Sequence, residues 1–556
     1  MIRFYILFSI LCLVSFTMCS QSQQEQTAVE EELISSTDPS FPVRFRFLYE
    51  GSPVPVRAYL LMNGQSYQID SLGYRLPIQV DYHYHDRIFT MKPSIPVLDM
   101  VHEGEHHWYF LTGEAVLPML PGHYEISIYK GMEFLPIHAG FDLSDKVTEK
   151  TFTLKRWINT VEHGLYGGDN HIHLTRQKGE NEIFLNMMEA DGLSIAHFLQ
   201  LQRFEQAAVQ YAWGHAGQAR REDYIIRSGE EQRSHFYGHN LMLGIDSLVR
   251  PVSMGVRYGL TPYADPLTSD LFRQARRLNG VVGYAHDDGG EKHSAAMIDV
   301  VHGNVDFLEV FQFGRMRSRF WYTVLSCGFR IPGTAGSDFP YNLTLFKPWP
   351  KLIPPFGPDR MYVELDAPLS FAKWMSNLKE GRILLTNGPM VKFYVNNTRP
   401  GGEVRLPEGK NGVDIHASVV HWRPMREAKL IVNGRVHRTY RNQSATEWEI
   451  RDRIDLPHSA WLALHVMSDS TGIGDEEILL QAHTNPVYVI IGERPVGNPE
   501  ALQSALDNLE AQRNYFASKE LVFKLEANRQ KLLVMADEAL AELRRRLAES
   551  RKQTGI

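Results

Sequence analysis

The stretch at 166–175 reads YGGDNHIHLT, and its two histidines, His171 and His173, stand two residues apart. On a strand that spacing puts both imidazoles on one side. Two neutral imidazoles facing one point are the start of a metal site. The pair needs company, because His83 and His85 have the same spacing without such surroundings. Further along, other chemistry-bearing residues sit at the borders of apolar runs. Glu230 and Glu231 follow DYIIRSG, His239 opens HNLMLGI, His286 ends GVVGYAH and Asp338 ends FRIPGTAGSD. Mixed imidazole and carboxylate donors without a thiolate suit Zn²⁺, Mn²⁺ or Fe²⁺ and do not choose among them. Singly, each has an ordinary structural reading. A histidine at a strand end is a hydrogen-bonded turn residue, Asp338 before Phe-Pro is a turn former and Glu230-Glu231 is a solvated edge. Their joint occurrence in this order carries the weight.

A scaffold must bring these residues together. Between 160 and 395 short apolar runs alternate with helical stretches such as NEIFLNMMEADG and LFRQARRLNG. Repeated β-α order predicts a parallel sheet or barrel. In such a barrel the site lies at the C-terminal ends of the strands. All the borders named above obey that rule except His239, which opens its run. Residues 41–155 alternate in short runs (VRFRFLY, VRAYLLM, HYEISIY) between Gly and Pro turns, which predicts an N-terminal β-sandwich-like domain. Alternation returns at 396–495 and predicts a second β-rich, sandwich-like module. Within 499–550, Leu521, Leu525, Leu532, Met535, Ala539, Leu543 and Leu547 recur at helical spacing, which predicts one or two amphipathic helices packed on the body. The expected fold class is multidomain α/β plus β.

At 556 residues the chain is too long for one core, and 43% apolar with 22% charged residues is ordinary globular composition. The net charge of −7 is spread along the chain. With no basic stripe, nucleic acid is not an expected partner, and the RRR at 544–546 reads as a solvated helix face. Residues 1–22 combine Arg3, a short apolar run and a polar exit, which reads as an export signal. Residues 23–40 read as a disordered tether. Cys19 ends the apolar run and raises lipidation, although Phe16, Thr17 and Met18 are bulky for that processing. Lipid anchoring and free secretion both stand, and the expected location is periplasmic, extracellular or at the cell surface. Cys327 in VLSCGFRI reads as a buried apolar residue and not a nucleophile. Disulfides are not expected to hold the fold.

The ordered pieces GDNHIHL (168–174), EADGLSI (189–195), GEEQRSHFYGHNLMLG (229–244), GVVGYAH (280–286) and AGSD (335–338) resemble the polymerase-and-histidinol-phosphatase (PHP) superfamily of metal-dependent hydrolases. With GRILLTNGP (381–389) and AHTNPVYV (482–489) the chain is most similar to the CehA/McbA family within it. The likeness spans 160–495, and the N-terminal module ending in LKRW is similar too. The resemblance implies a distorted (β/α)7 barrel with up to three metals at its mouth. Residue by residue it implies His171, His173, Glu231, His239, His286 and Asp338 as ligands, with Glu230 the lesser alternative to Glu231. Asp338, Glu231 and His286 are then the catalytic residues among them. Three ligands usual in the superfamily are missing, where this chain has Gly179, Gln200-Leu201 and Pro340. Those three belong together in one metal site. The retained residues form two others, His171, His173, Glu231 and Asp338 in one and Glu231, His239 and His286 in the second. This pattern implies two divalent ions bridged by Glu231. His197, His215, His235, His293 and His302 are the substitute ligands to check. Asp169 has two even readings, as a hydrogen-bond acceptor behind a ligand or as a turn former. For Glu309 and Arg233 a structural charge is the favoured reading.

The implied reaction is hydrolysis of an ester, carbamate or amide by hydroxide generated on the metals. The substrate would be a small molecule or a glycan-like ester. Two alternatives differ in kind: a PHP-type phosphoesterase, and an exported non-catalytic binding protein with a vestigial barrel. No dense Arg/Lys cluster lies beside these motifs, which disfavours phosphate.

Overall fold

The computed structural model describes residues 40–69, 75–78, 97–102, 106–203, 206–259, 261–286, 294–341, 357–366, 368–473 and 476–554. The expected export signal, Cys19, the tether up to residue 39, the 83–85 histidines and His293 lie outside them. The molecule is a multidomain α/β protein rich in strands, with seven α-helices among the described residues. None of those helices is long and apolar enough to cross a membrane.

Two sheets form the N-terminal part. Phe41–Tyr49 pairs with Glu149–Thr153, Glu114–Met119 and Ser52–Pro53, while Val56–Met62 lies between Gly122–Tyr129 and His106–Leu111 in the other sheet. Alternate residues of Phe41–Tyr49 point inward, so Val43, Phe45 and Phe47 meet Ala58, Leu60, Ile126 and Ile128 in one core. The outer face of the second sheet carries Tyr59, Trp108 and Tyr129 against the central part of the chain. There Arg57 is buried with its guanidinium over both Trp108 and Tyr129, and its Nε is 3.1 Å from Asp191 Oδ1.

The central part is built on β1 (Leu165–Ile172), α1 (Asn181–Ala190), β2 (Ile195–Arg203), β3 (Tyr224–Ser234), β4 (Gly238–Leu243), α2 (Thr268–Arg277), β5 (Val281–Tyr284), α3 (Ala296–Val301), β6 (Phe307–Gln312), α4 (Arg319–Ser326) and β7 (Gly333–Ala335). Pairing runs β1–β2–β3–β4–β5–β6–β7. The ring closes where Phe339, just past β7, bridges Ile172 in parallel. His173 N–H donates to Phe339 O at 2.7 Å, and Phe339 N–H donates to His171 O at 3.2 Å.

The alternation of strand and helix expected from the sequence fails in two places. Between β2 and β3 stand the short strands Gln206–Ala208 and Ala219–Arg221 instead of a helix. β4 runs antiparallel to both neighbours, because the turn at 235–237 is far too short for a crossover connection. The floor of the ring is filled by Trp374, fully buried on α5 (Phe371–Glu380). A side chain at Gly168 of β1 would lie 2.3 Å from its indole, so this strand passes as glycine.

β8 (Arg360–Glu364) pairs with β1, and β9 (Ile383–Thr386) pairs with β8 and then with Glu476–Thr484 of the C-terminal module. That module packs a three-stranded sheet, Met390–Val395 with Gly412–Val420 and Glu447–Asp455, over a larger one. Its first strand therefore precedes residue 396. Two helices follow, α6 (Pro499–Ala517) and α7 (Glu526–Thr554). Leu532, Met535, Ala539, Leu543 and Leu547 are buried against the central part, as their spacing predicts. Leu525 is exposed, because it lies in the turn between the helices.

Candidate metal centre

The residues singled out in the sequence meet at the end of the ring where β1, β3, β5, β6 and β7 finish. β1 stops at Ile172, and its pairing with β2 is irregular between Asp169 and Ile172. That bulge and the bridge to Phe339 set the direction of both histidines, whose ring centroids are 4.9 Å apart. Asp169 is a backbone organiser. Its Oδ1 accepts from His171 N–H at 2.9 Å and Ser337 N–H at 3.0 Å, and its Oδ2 accepts from Gly357 N–H at 2.8 Å.

Successive residues of β3 face opposite ways. Glu230 Oε2 accepts from Val249 N–H at 2.9 Å, away from the histidines. Glu231 faces them. Its Oε2 is 3.1 Å from His173 Nε2 and 2.9 Å from Arg233 Nε. Its Oε1 is 3.0 Å from His239 Nδ1, 3.6 Å from His171 Nε2 and 3.7 Å from His286 Nε2. Asp338 Oδ1 lies 3.5 Å from His171 Nε2 and 3.3 Å from His173 Nε2. His239 reaches this end although it opens its strand, because β4 is antiparallel and places it opposite Arg233. His286 and Asp338 follow β5 and β7 with φ of +58° and +54°. A left-handed non-glycine residue costs ~1–2 kcal/mol, and such residues gather at functional sites.

Three sets of ligand atoms converge to within 4.8 Å of one another: His171, His173 and Glu231; Glu231, His239 and His286; and His171, His286 and Asp338. His171 thus belongs to two sets. His197, His215, His235 and His302 are in none. His197 is buried inside the ring beside Phe371 and Trp374, His215 and His235 are exposed, and His302 Nε2 is 3.0 Å from Met535 O. Burial, aided by Arg227, pushes the His197 pKa down to about 3. At the positions that depart from the superfamily pattern, Gln200 accepts from Gln210 N–H at 3.1 Å and Leu201 is buried.

Residues outside the expected set hold this one in place. Both Glu309 oxygens are 3.1 Å from His171 Nδ1, and Glu309 Oε2 accepts from His286 N–H at 3.1 Å. Gln312 sets its Oε1 against His286 Nδ1 and donates from Nε2 to Glu309 at 3.3 Å. A proton on His171 Nδ1, donated to Glu309, leaves Nε2 as the lone-pair nitrogen facing Glu231 and Asp338. Arg233, also read as a structural charge, is buried against Glu231. Cys327 is buried, and burial pushes its thiol up to about 12.

The electrostatics fit cations. His171 Nε2 and Glu231 Oε1 are buried 3.6 Å apart, and with the imidazole proton on Nδ1 both are acceptors. Such an arrangement is costly unless positive charge lies between them. Burial works against a charged His171, but Glu309, Asp338 and Glu231 outweigh it and hold its pKa well above the usual value. Burial likewise opposes the Glu231 carboxylate, yet Arg233, His239, His171 and His173 hold its pKa well below the usual range. The cluster has more carboxylate than its single guanidinium balances; a proton on His171 answers part of that charge, and a divalent ion, for which imidazole and carboxylate are suitable donors, would take the proton's place.

No family model matches the chain, and no curated protein matches it. Two solved structures are similar to part of it. One is the lesion-specific endonuclease PfuEndoQ from Pyrococcus furiosus, at 13% identity and a TM-score of 0.24. The other is Endonuclease Q in complex with a 27-mer duplex bearing an abasic lesion at the active site, at 13% identity and a TM-score of 0.23. Each similarity covers 39% of this chain and 56% of that one, so the chain spans about half the length of the structures it matches.

Proposed function

We propose that the chain is a metal-dependent hydrolase of the PHP type, nearest the CehA/McbA family, that cleaves an ester, carbamate or amide bond. It is read as an exported protein acting on a small-molecule or glycan-like substrate. The observation that carries this reading is the Glu231 carboxylate, whose atoms belong to two ligand sets at once. His171, His173, Glu231 and Asp338 would hold one divalent ion, and Glu231, His239 and His286 a second. Bound zinc, manganese or iron would lower the pKa of water toward ~7 and polarise the scissile oxygen.

The chain's own residues do the positioning. Glu309 and Gln312 occupy the Nδ1 side of His171 and His286 and turn each Nε2 toward the centre. Arg233 balances Glu231 on the Oε2 side. Tyr258 packs edge-on to His239 at 5.1 Å, and Phe313 lies nearly parallel to His286 at 6.5 Å, so aromatic faces flank the opening.

The test is metal quantification on the full chain, with parallel assays on aryl ester, carbamate and phosphate-ester substrates. About two equivalents of metal are expected, with preference for the carboxyl-type bond and loss of metal and turnover in His171→Ala and Asp338→Ala. Both variants keeping wild-type metal content and turnover would falsify the reading. Substoichiometric metal with no hydrolysis would favour the binding-protein alternative, and preference for phosphate the phosphoesterase.

A further inference from the structure

One of the contacts between the C-terminal module and the ring falls at Gly314, next to the residues that meet His286. Gly314 O accepts a hydrogen bond from Gln481 Nε2 at 2.8 Å, and Gly314 N–H donates to Asp359 Oδ2 at 2.7 Å. Both sides of that residue are therefore held from outside β6. Gln481 is buried, and its Oε1 lies 3.0 Å from His465 Nε2. Its backbone is held by Asn387, the asparagine of GRILLTNGP. Gln481 N–H donates to Asn387 Oδ1 at 2.8 Å, Asn387 N–H donates to Gln481 O at 3.2 Å, and Asn387 Nδ2 donates to Leu479 O at 3.0 Å. One amide side chain thus takes the place of a missing strand neighbour. The motif has a physical task that its resemblance did not supply.

Gly314 matters because of the two residues before it. Gln312 meets His286 Nδ1, and the Phe313 ring lies beside His286, nearly parallel at 17° with centroids 6.5 Å apart. Phe313 adopts φ of +55°, a conformation that a phenylalanine keeps only when its neighbours fix it. Tyr341 meets the Phe313 ring edge-on at 5.9 Å.

We propose that Gln481 is a positioning residue, which through Gly314 holds Phe313 and Gln312 against His286 and so shapes one side of the opening. The effect on turnover rests on the hydrolase reading, and the effect on the loop does not. The test uses Gln481→Ala and Gln481→Glu in the full, metal-loaded chain. Glutamate keeps an oxygen for His465 but sets its second oxygen against the Gly314 carbonyl. Amide hydrogen exchange at 311–317 should become about five- to tenfold faster in both variants, the scale of one lost hydrogen bond, with 371–380 unchanged. For a cleaved substrate KM should rise several-fold with kcat within about twofold. Wild-type exchange at 311–317 in both variants overturns the proposal. So does faster exchange throughout the chain, since the residue then acts on the fold as a whole. Where no substrate is cleaved even by the wild type, the hydrolase reading fails while the exchange result still decides this one.

Discussion

Replacing Glu309 with glutamine removes one negative charge and almost no volume. Three donors converge on its carboxylate, namely His171 Nδ1–H, His286 N–H and Gln312 Nε2–H, at 3.1, 3.1 and 3.3 Å. A carboxylate offers two oxygens to them, whereas an amide offers one oxygen and turns an NH₂ toward the rest. At least one donor then faces a donor where both Glu309 and His171 are fully buried. Leaving a buried donor unsatisfied costs ~1–3 kcal/mol, more where charge is involved. Relief comes by turning the His171 ring or by moving its proton to Nε2, and either spoils a ligand. Loss of such a supporting partner lowers metal affinity about 10- to 100-fold. The assay is competition between the protein and a chromophoric chelator for Zn²⁺ or Mn²⁺. The exposed Glu538→Gln serves as the control, and circular dichroism checks the fold. If Glu309→Gln retains metal as tightly as Glu538→Gln, the carboxylate does not support His171 and the assignment of its tautomer is wrong.

Two further outcomes are expected. In Gly336→Ala the new methyl would lie 2.3 Å from Glu309 Oε1 and 2.6 Å from His171 Cβ, so the pair must separate. Overpacking of this kind costs ~1–3 kcal/mol, and metal content should fall while circular dichroism is kept. Arg57→Met should destabilise the chain by ~3–5 kcal/mol at pH 7, because it strips buried Asp191 of its partner and forces it either to stay charged beside an apolar side chain or to take up a proton. Burial outweighs Arg57 and Arg360 and raises the Asp191 pKa to about 6. The folded state therefore binds more protons than the unfolded between ~4 and about 6, and the stability this group contributes below that window is lost as pH rises through it. The penalty of Arg57→Met should accordingly be smaller at pH 5 than at pH 7, read by denaturant unfolding at both.

The convergence of these side chains was legible because it depends on residue type and order at strand ends. His171, His173, Glu231, His286 and Asp338 all announce themselves that way. His239 broke the rule for a reason visible only in three dimensions, since β4 runs backwards. Glu309 and Gln312 were harder. Strict alternation would send residues three apart to opposite faces, and it is an irregularity in the β6–β7 pairing between Glu309 and Phe311 that turns both toward the histidines. No periodicity in VDFLEVFQF carries that information. Asp169 escaped a single reading because its partners are backbone amides, which sequence does not distinguish. The strands of the N- and C-terminal parts followed from alternation, since each buries one face.

The corner at 235–237 sets Glu231 and His239 within one hairpin. Ser234 Oγ accepts from Phe236 N–H and Tyr237 N–H, both at 3.1 Å, and fixes how many residues the chain spends in turning back. Side chains alternate along the returning strand, so dropping a single residue there would swing His239 outward and bring Asn240 into its place. That corner accepts a change of letter far more readily than a change of length.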